Sequence, residues 1–153
     1  FLPYLGGERT PLNSASVRGA FTGLEHATDR KAATRAVLEG VTYAIRDSRD
    51  ALAATGTRLE NLLAVGGGTR SDYWLKLIAT ALDCPVQLPV AGDFGGAFGA
   101  ARLGLMAATG AGAEIATLPP IARVIDPDPA LKDAFDAGHA RFRAAQSAIK
   151  DLT

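Results

Sequence analysis

Apolar residues recur at three- and four-residue steps from Asp29 onward, and this spacing predicts one face of a long amphipathic helix. Thr28 or Asp29 is suited to cap its first turn, and Gly56 follows its end. A glycine inside the helix, Gly40, costs about 1 kcal/mol relative to alanine, so we expect it to lie against a neighbouring backbone. The predicted apolar face consists of Ala33, Ala36, Val37, Gly40, Val41, Ala44, Ile45, Ser48 and Leu52.

Two short apolar runs, 59–65 and 85–90, predict buried strands. Prolines bound the second run, which favours a position at an edge or near an end of the sheet. Residues 19–24 predict a weaker strand. Because helical patterns follow these runs, the order of elements indicates an α/β layer in which each helix buries its apolar face on a sheet.

A second glycine turn, residues 92–96, leads into a helix of small residues. Gly96, Ala100 and Gly104 lie four residues apart and form a helix edge without large side chains. We expect that edge to pack closely against a neighbouring element, and we favour this over direct contact with a ligand. Asp93 could cap this helix, bind a cation or face water, and capping is the commonest of these roles.

A chain of 153 residues is close to the commonest domain size, so we predict a single domain over 1–153. Its parts are, in order, an N-terminal loop over 1–20, an α/β core over 21–109, an irregular excursion over 110–130 and a terminal helix over 131–153. Residues 121–125 could form one extended piece within that excursion. The predicted core residues are Val37, Val41, Ile45, Leu62, Leu63, Val65, Leu75, Ile78, Val86, Leu88 and Leu103.

Composition and charge exclude several classes of protein. Sixteen basic residues balance sixteen acidic ones, so we expect neither nucleic acid nor an anionic membrane as a partner. A content of 48% hydrophobic and 21% charged residues excludes intrinsic disorder. A lone cysteine, Cys84, cannot form an internal disulfide, which favours a reducing, cytoplasmic setting. The chain begins with Phe1 in an apolar run rather than with Met, and this suggests a fragment or a processed chain.

The most informative segment for function is the glycine turn Gly66-Gly67-Gly68, which follows the first predicted strand. Backbone without side chains can approach a flat ligand or a phosphate closely, and a following helix supplies free N–H donors. Ser71 or Asp72 could cap that helix. The segment lacks both the Gly-Lys pair of a P-loop and the third small residue of a dinucleotide fingerprint. The pattern alone therefore does not decide between a ligand site and a simple turn.

No other segment offers a clear reactive group. His26 is expected on the surface, and His139 on the apolar face of the last helix is expected to be a core or boundary histidine. The charged turn 7–11 is expected to be exposed rather than part of a cleft. Two histidines and one cysteine are too few for a zinc cage. These segments therefore give no local sign of a catalytic residue or of a zinc site.

Four ordered segments resemble the FGGY family of carbohydrate kinases, most of all its bacterial xylulokinases. They are 1–13, 19–24 together with 36–41, 66–74 and 99–103. The chain departs from the family at Ala32 and Ala33, where a polar residue and a large apolar one are usual, and at Gly7, where serine is frequent.

The resemblance implies part of the C-terminal lobe of an actin-like ATPase (ribonuclease H-like) fold, with ATP and sugar bound between two lobes. It implies that Gly66 ends the strand and that Gly67 and Gly68 lay bare backbone against adenine, with Thr69 lining the pocket. Asp72 would either accept a hydrogen bond from the exocyclic amine or cap the helix. Mg²⁺ is expected with ATP in the full-length enzyme.

The expected function is the adenosine side of the ATP site in a sugar kinase that converts D-xylulose and ATP to D-xylulose 5-phosphate and ADP. The chain alone should be inert, since the resemblance places the catalytic aspartate and most sugar contacts in a missing N-terminal lobe. Alternatives are a kinase for another ketose, a pentitol or glycerol, and a non-enzymatic nucleotide-binding or interaction module. A fragment of a two-lobed protein would expose apolar surface, so self-association into a homo-oligomer is a further hypothesis.

Overall fold

A computed structural model describes residues 1–92 and 95–149, in which helices pack on a three-stranded sheet. The helices and strands are, in order, α1 (Arg30–Ala54), β1 (Leu62–Leu63), α2 (Asp72–Leu82), β2 (Val86–Pro89), α3 (Gly95–Thr109), β3 (Ile121–Ile125) and α4 (Lys132–Ile149). The predicted α/β class, with helices on a sheet, is confirmed.

The sheet has the order β1-β2-β3, so β2 is its central strand. β1 pairs with β2 in parallel, with Leu62 opposite Val86, and β3 pairs with β2 in the antiparallel direction. Of the two positions predicted for 85–90, at an edge or near an end of the sheet, the edge is therefore wrong. The prolines are tolerated because Pro85 precedes the strand and Pro89 lies at its last position, where the register with β3 shifts.

The other strand predictions hold only in part. The run 59–65 forms a strand of two residues, Leu62–Leu63. Residues 19–24 form no strand, and a single bridge joins Ala20 to Leu2. The extended piece predicted within the excursion 110–130 is confirmed, because residues Ile121–Ile125 form β3, the third strand of the sheet.

Helix α1 begins and ends as its sequence predicts. Asp29 is the N-cap, and its Oδ1 accepts a hydrogen bond from the Ala32 N–H at 2.7 Å. Gly56 follows the helix with φ +89°, in the left-handed region that favours glycine. A Cβ on Gly40 would overlap the carbonyl oxygen of Phe1, so the expected close approach of a neighbouring backbone is confirmed.

The core lies mainly between α1, α2, α4 and the N-terminal segment. Of the buried residues of α1, only Gly40 belongs to its predicted apolar face. That helix buries Gly40, Thr42, Tyr43 and Asp47, whereas Ile45 is exposed. The main cluster of buried residues consists of Leu2, Tyr4, Val17, Tyr43, Leu77, Ala81, Leu82, Cys84, Phe135 and Phe142.

The predicted core is only partly correct. Leu75, Val86 and Leu88 are buried. Four further predicted residues are half-buried, namely Val37, Val41, Leu62 and Ile78. The structure contradicts the remaining four, because Ile45, Leu63, Val65 and Leu103 are all exposed.

Helix α3 corrects the prediction made for its small residues. No residue of this helix is buried against the parts of the chain that the structure describes. A Cβ on Gly96 or Gly104 would meet no atom within 4 Å, so the expected close packing at that edge is wrong. The close approach occurs instead at Gly95, where a Cβ would lie 2.8 Å from the Cβ of Val65. The predicted cap, Asp93, lies outside the described residues.

A buried polar pair joins α1 to α4. His139 Nε2 lies 2.7 Å from Asp47 Oδ1, and both side chains are buried. This confirms His139 as a core histidine with a partner, and His26 is exposed as expected. None of the helices in the described ranges combines the length and apolar character that crossing a membrane requires.

Candidate nucleotide site

The two glycine turns meet at one edge of the sheet. β1 and β2 are parallel, so their carboxyl ends point the same way, and a glycine turn follows each of them. The Gly66 N–H donates to the Gly92 carbonyl oxygen at 2.9 Å, which joins the turns. In α/β sheets the carboxyl ends of parallel strands are the usual place for ligands.

The first turn is a closed 3₁₀ turn over Gly67–Arg70. Gly66 enters it with φ +91°, a conformation that residues with a Cβ rarely adopt. The backbone N–H of Thr69 donates to the Gly66 carbonyl oxygen at 3.1 Å, and the Thr69 hydroxyl donates to the same oxygen at 2.8 Å. These two hydrogen bonds fix the path of the backbone through the glycines.

The space left by the absent side chain differs between Gly67 and Gly68. A Cβ on Gly67 would meet no atom of the described residues within 4 Å, so with respect to these residues its backbone faces open space. A Cβ on Gly68 would lie 2.8 Å from Cζ3 of Trp74, so this glycine makes room for the indole. The Trp74 Nε1–H in turn donates to the Thr42 hydroxyl at 3.1 Å. Gly68 thus has a packing role that the sequence pattern did not reveal.

Asp72 is the first residue of α2, but it does not cap the helix. The cap is Ser71, whose Oγ accepts a hydrogen bond from the Trp74 N–H at 3.3 Å. Both oxygens of the Asp72 carboxylate instead accept hydrogen bonds from the Arg123 guanidinium, with Nη1 2.8 Å from Oδ2. These hydrogen bonds lower the pKa of Asp72 below its usual value, so the carboxylate is charged at neutral pH.

An apolar concavity of about 320 Å³ adjoins the turns. Its walls include Val65 directly before Gly66, Gly92 and Phe98 beside the second turn, and Pro119 and Pro120 before β3. The described lining does not include the predicted site residues Gly66, Gly67, Gly68, Thr69 and Asp72. A flat, weakly polar ring fits such a surface better than a sugar or a phosphate does, because hydroxyl and phosphate oxygens need hydrogen-bond partners when they leave water.

Acidic ligands for a metal do not cluster at this edge among the residues that the structure describes. Among the described residues, the one group with spacing suitable for a metal ion is Asp47, Asp50 and His139, which lies between α1 and α4. Its members already have partners, since Asp47 contacts His139 and Asp50 pairs with Arg49 at 2.6 Å. The residues near the glycine turns therefore fit a nucleotide base better than a Mg²⁺ ion.

The charged turn 7–11 is organised by its own backbone. The Glu8 carboxylate accepts hydrogen bonds from the Thr10 N–H at 2.6 Å and from the Leu12 N–H at 2.8 Å. Both acceptor oxygens thus shape the expected turn. Gly7, Glu8 and Arg9 also line an open concavity of about 550 Å³, so the expectation that this turn is not part of a cleft is wrong.

Sequence reasoning missed Arg123 as part of the candidate site. The residue lies in a segment that the pattern assigned to an irregular excursion, 51 positions from Asp72. A single arginine between Ala122 and Val124 gives no local signal of its partner.

Comparisons with known proteins agree on one family. A model of the C-terminal domain of the FGGY family of carbohydrate kinases matches residues 1–108. The xylulose kinase of Escherichia coli (strain K12) is 39% identical over 145 residues, which are 94% of this chain and 30% of that protein. A solved xylulose kinase from Brucella ovis is 58% identical with a TM-score of 0.87, covering 99% of this chain and 32% of the other.

A gluconate kinase from Lactobacillus acidophilus is also similar, with 26% identity and a TM-score of 0.75, over 97% of this chain and 30% of the other. These likenesses confirm the resemblance seen in the sequence and the actin-like ATPase fold. The chain spans about a third of the length of the relatives that it matches.

Proposed function

The chain belongs to the FGGY family of carbohydrate kinases, and from this premise we propose that it forms the adenosine side of the ATP site in a sugar kinase of the xylulokinase type. Enzymes of this family are phosphotransferases. The overall reaction we propose converts D-xylulose and ATP to D-xylulose 5-phosphate and ADP.

The observation that carries the proposal is the meeting of two glycine turns beside an apolar concavity at the carboxyl edge of β1 and β2. Gly67 would lie against the adenine ring, because its backbone is bare and faces open space. Gly66 and Gly68 would shape the turn, and Thr69 would line the pocket while it closes that turn. The Asp72 carboxylate would accept a hydrogen bond from the exocyclic amine of adenine.

Phosphoryl transfer depends on positioning and on neutralising charge, and Mg²⁺ bound to the phosphates supplies much of that neutralisation. The described residues near the turns offer no carboxylate cluster for Mg²⁺, and the Asp72 carboxylate beside them is paired with Arg123. We therefore infer that the chain positions the nucleotide, and that the reacting groups come from the rest of a longer polypeptide. The chain alone should be inert.

A coupled ADP-release assay with Mg-ATP and D-xylulose tests this division of roles. The polypeptide that includes a first lobe should turn over, and the 153-residue chain should not. Turnover by the chain alone would contradict the inference that it lacks the reacting groups. A longer polypeptide that binds ATP but phosphorylates no sugar would favour a non-enzymatic nucleotide-binding module.

The identity of the sugar is the part of the proposal with a specific rival. The similar gluconate kinase matches nearly the whole chain, so the likeness in this region does not separate one substrate from another. A panel of D-xylulose, other ketoses, pentitols, gluconate and glycerol tests the choice. The highest kcat/KM should be for D-xylulose, and a higher value for another substrate would assign that substrate instead.

A further inference from the structure

Strand β3 and the residues directly after it are attached along one face of α2 by three side-chain contacts. The Asp72 carboxylate pairs with the Arg123 guanidinium at the start of the helix. One turn later, Lys76 Nζ donates to the Asp126 carbonyl oxygen at 2.9 Å. A turn further, Thr80 Oγ1 accepts a hydrogen bond from the Asp128 N–H at 3.0 Å. Positions 72, 76 and 80 share one face of a helix. Residues 123–128 are therefore held along that face of α2.

The same segment lines the apolar concavity. Pro119 and Pro120 form part of its wall, directly before β3 begins. The Val90 N–H donates to the Pro120 carbonyl oxygen at 2.9 Å, which fixes these prolines beside the end of β2. β3 then carries Arg123 back along β2, where it lies opposite Leu88. Pro119, Pro120 and Arg123 all follow position 108, where the family match ends.

We propose that Arg123 is a positioning residue of the nucleotide site, which holds the Asp72 carboxylate in the orientation that receives the exocyclic amine of adenine. This inference rests on the proposed function. It assigns to the segment after the matched family region a part in recognising the base.

The geometry of the ion pair supports this role. A carboxylate has about four lone-pair positions, and the two hydrogen bonds from Arg123 use one on each oxygen. Each oxygen therefore keeps an acceptor position for a further donor. The side chain of Asp72 is 65% exposed, so without a partner it would rotate freely in water. A planar guanidinium that bonds both oxygens fixes the plane of the carboxylate, whereas an ammonium group contacts it as a point charge.

The test uses the full-length kinase with the variants Arg123→Gln, Arg123→Lys and Asp72→Asn. Lys132→Gln is the matched control, because Lys132 also forms exposed ion pairs and its side chain has the same 47% exposure as that of Arg123. KM and kcat are measured with ATP and with inosine triphosphate, whose base has a carbonyl oxygen in place of the amine. The preference for ATP over inosine triphosphate reports on the hydrogen bond to Asp72.

We expect Arg123→Gln to raise KM for ATP about three- to tenfold, with kcat nearly unchanged and with most of the preference for ATP lost. Arg123→Lys should lie between this variant and the wild type, and Lys132→Gln should match the wild type. A purely structural role would lower the melting temperature without changing the ratio of the two nucleotides.

Two results overturn the inference and differ in what they leave standing. If Asp72→Asn loses the preference for ATP and Arg123→Gln keeps it, the positioning role is wrong and the proposed nucleotide site stands. If both variants keep the preference, the positioning role is again wrong. The KM for ATP of Gly67→Val then decides the proposed function, because an unchanged value would remove the adenosine site as well.

Discussion

Replacing Gly67 and Gly68 by valine, one at a time, should separate nucleotide binding from packing. A Cβ on Gly67 meets nothing within 4 Å, whereas a Cβ on Gly68 would lie 2.8 Å from the ring of Trp74. Ordinary contacts of this kind begin at 3.4 Å, so the indole would have to move by about 0.6 Å. That ring is held by its hydrogen bond to Thr42, which is fully buried.

The two substitutions should therefore differ in magnitude and in kind. Forcing extra atoms into a packed contact costs about 1–3 kcal/mol, so Gly68→Val should lower the free energy of unfolding by that amount. Each kcal/mol should lower Tm by about 2–4 °C in a chain of this length. Gly67→Val should change stability by less than about 0.5 kcal/mol. It should instead raise KM for ATP more than about tenfold, because its side chain would occupy the space proposed for adenine.

Thermal unfolding of the 153-residue chain measures the first effect, and ATP kinetics of the full-length kinase measure the second. Gly104→Val is the control for unfolding, because a Cβ at this helical position also meets no atom within 4 Å. A wild-type Tm for Gly68→Val would refute the steric argument about Trp74. An unchanged KM for Gly67→Val would refute the claim that its bare backbone faces the nucleotide.

Further predictions concern the core. Burial raises the pKa of Tyr4 and of Tyr43 to about 12, so the stability that these protonated phenols contribute should be present below pH 10 and lost between about pH 10 and 12. An absorbance titration that shows every tyrosine ionising near pH 10 in the folded chain would contradict this. Thr42→Val should cost about 1–3 kcal/mol, because the indole of the sole tryptophan loses its acceptor, whereas Thr42→Ser should keep most of that stability in denaturant unfolding. Leu82→Ala, at a side chain only 1% exposed, should cost about 2–5 kcal/mol in the same experiment, and a loss below about 1 kcal/mol would show that the site is not closely packed.

The features that the sequence predicted well depend on neighbouring residues. The start of α1 follows from Asp29, whose carboxylate reaches an N–H only three positions away. The caps and glycine turns of the candidate site are likewise contained within a few positions, as in the hydrogen bonds of Thr69 to Gly66. The family resemblance adds the fold, which the solved relatives confirm. Local signals thus gave the helices, the first turn and its approximate place in an α/β layer.

The features that could not be predicted from the sequence depend on residues far apart in the chain. The apolar spacing of α1 favoured Ile45 as a core residue, but the buried face includes Asp47 because His139, 92 positions away, supplies a partner. Burial of a charged group is tolerated only when such a partner exists. Helix α3 shows the converse, since its apolar composition does not bury Leu103, which is 68% exposed. The apolar character of a residue alone therefore does not determine whether its side chain is buried.

Helix α2 is the element through which these long-range contacts reach the candidate site. One side of its first turn places Trp74 between Gly68 and Thr42, which joins the glycine turn to α1. The other side presents Asp72 to Arg123, which joins the same turn to β3. Displacing the helix would therefore move the bare backbone and the acceptor for the base together. Variants that remove the Arg123 contact should act on nucleotide KM, because that contact holds the acceptor for the base at the first turn of α2.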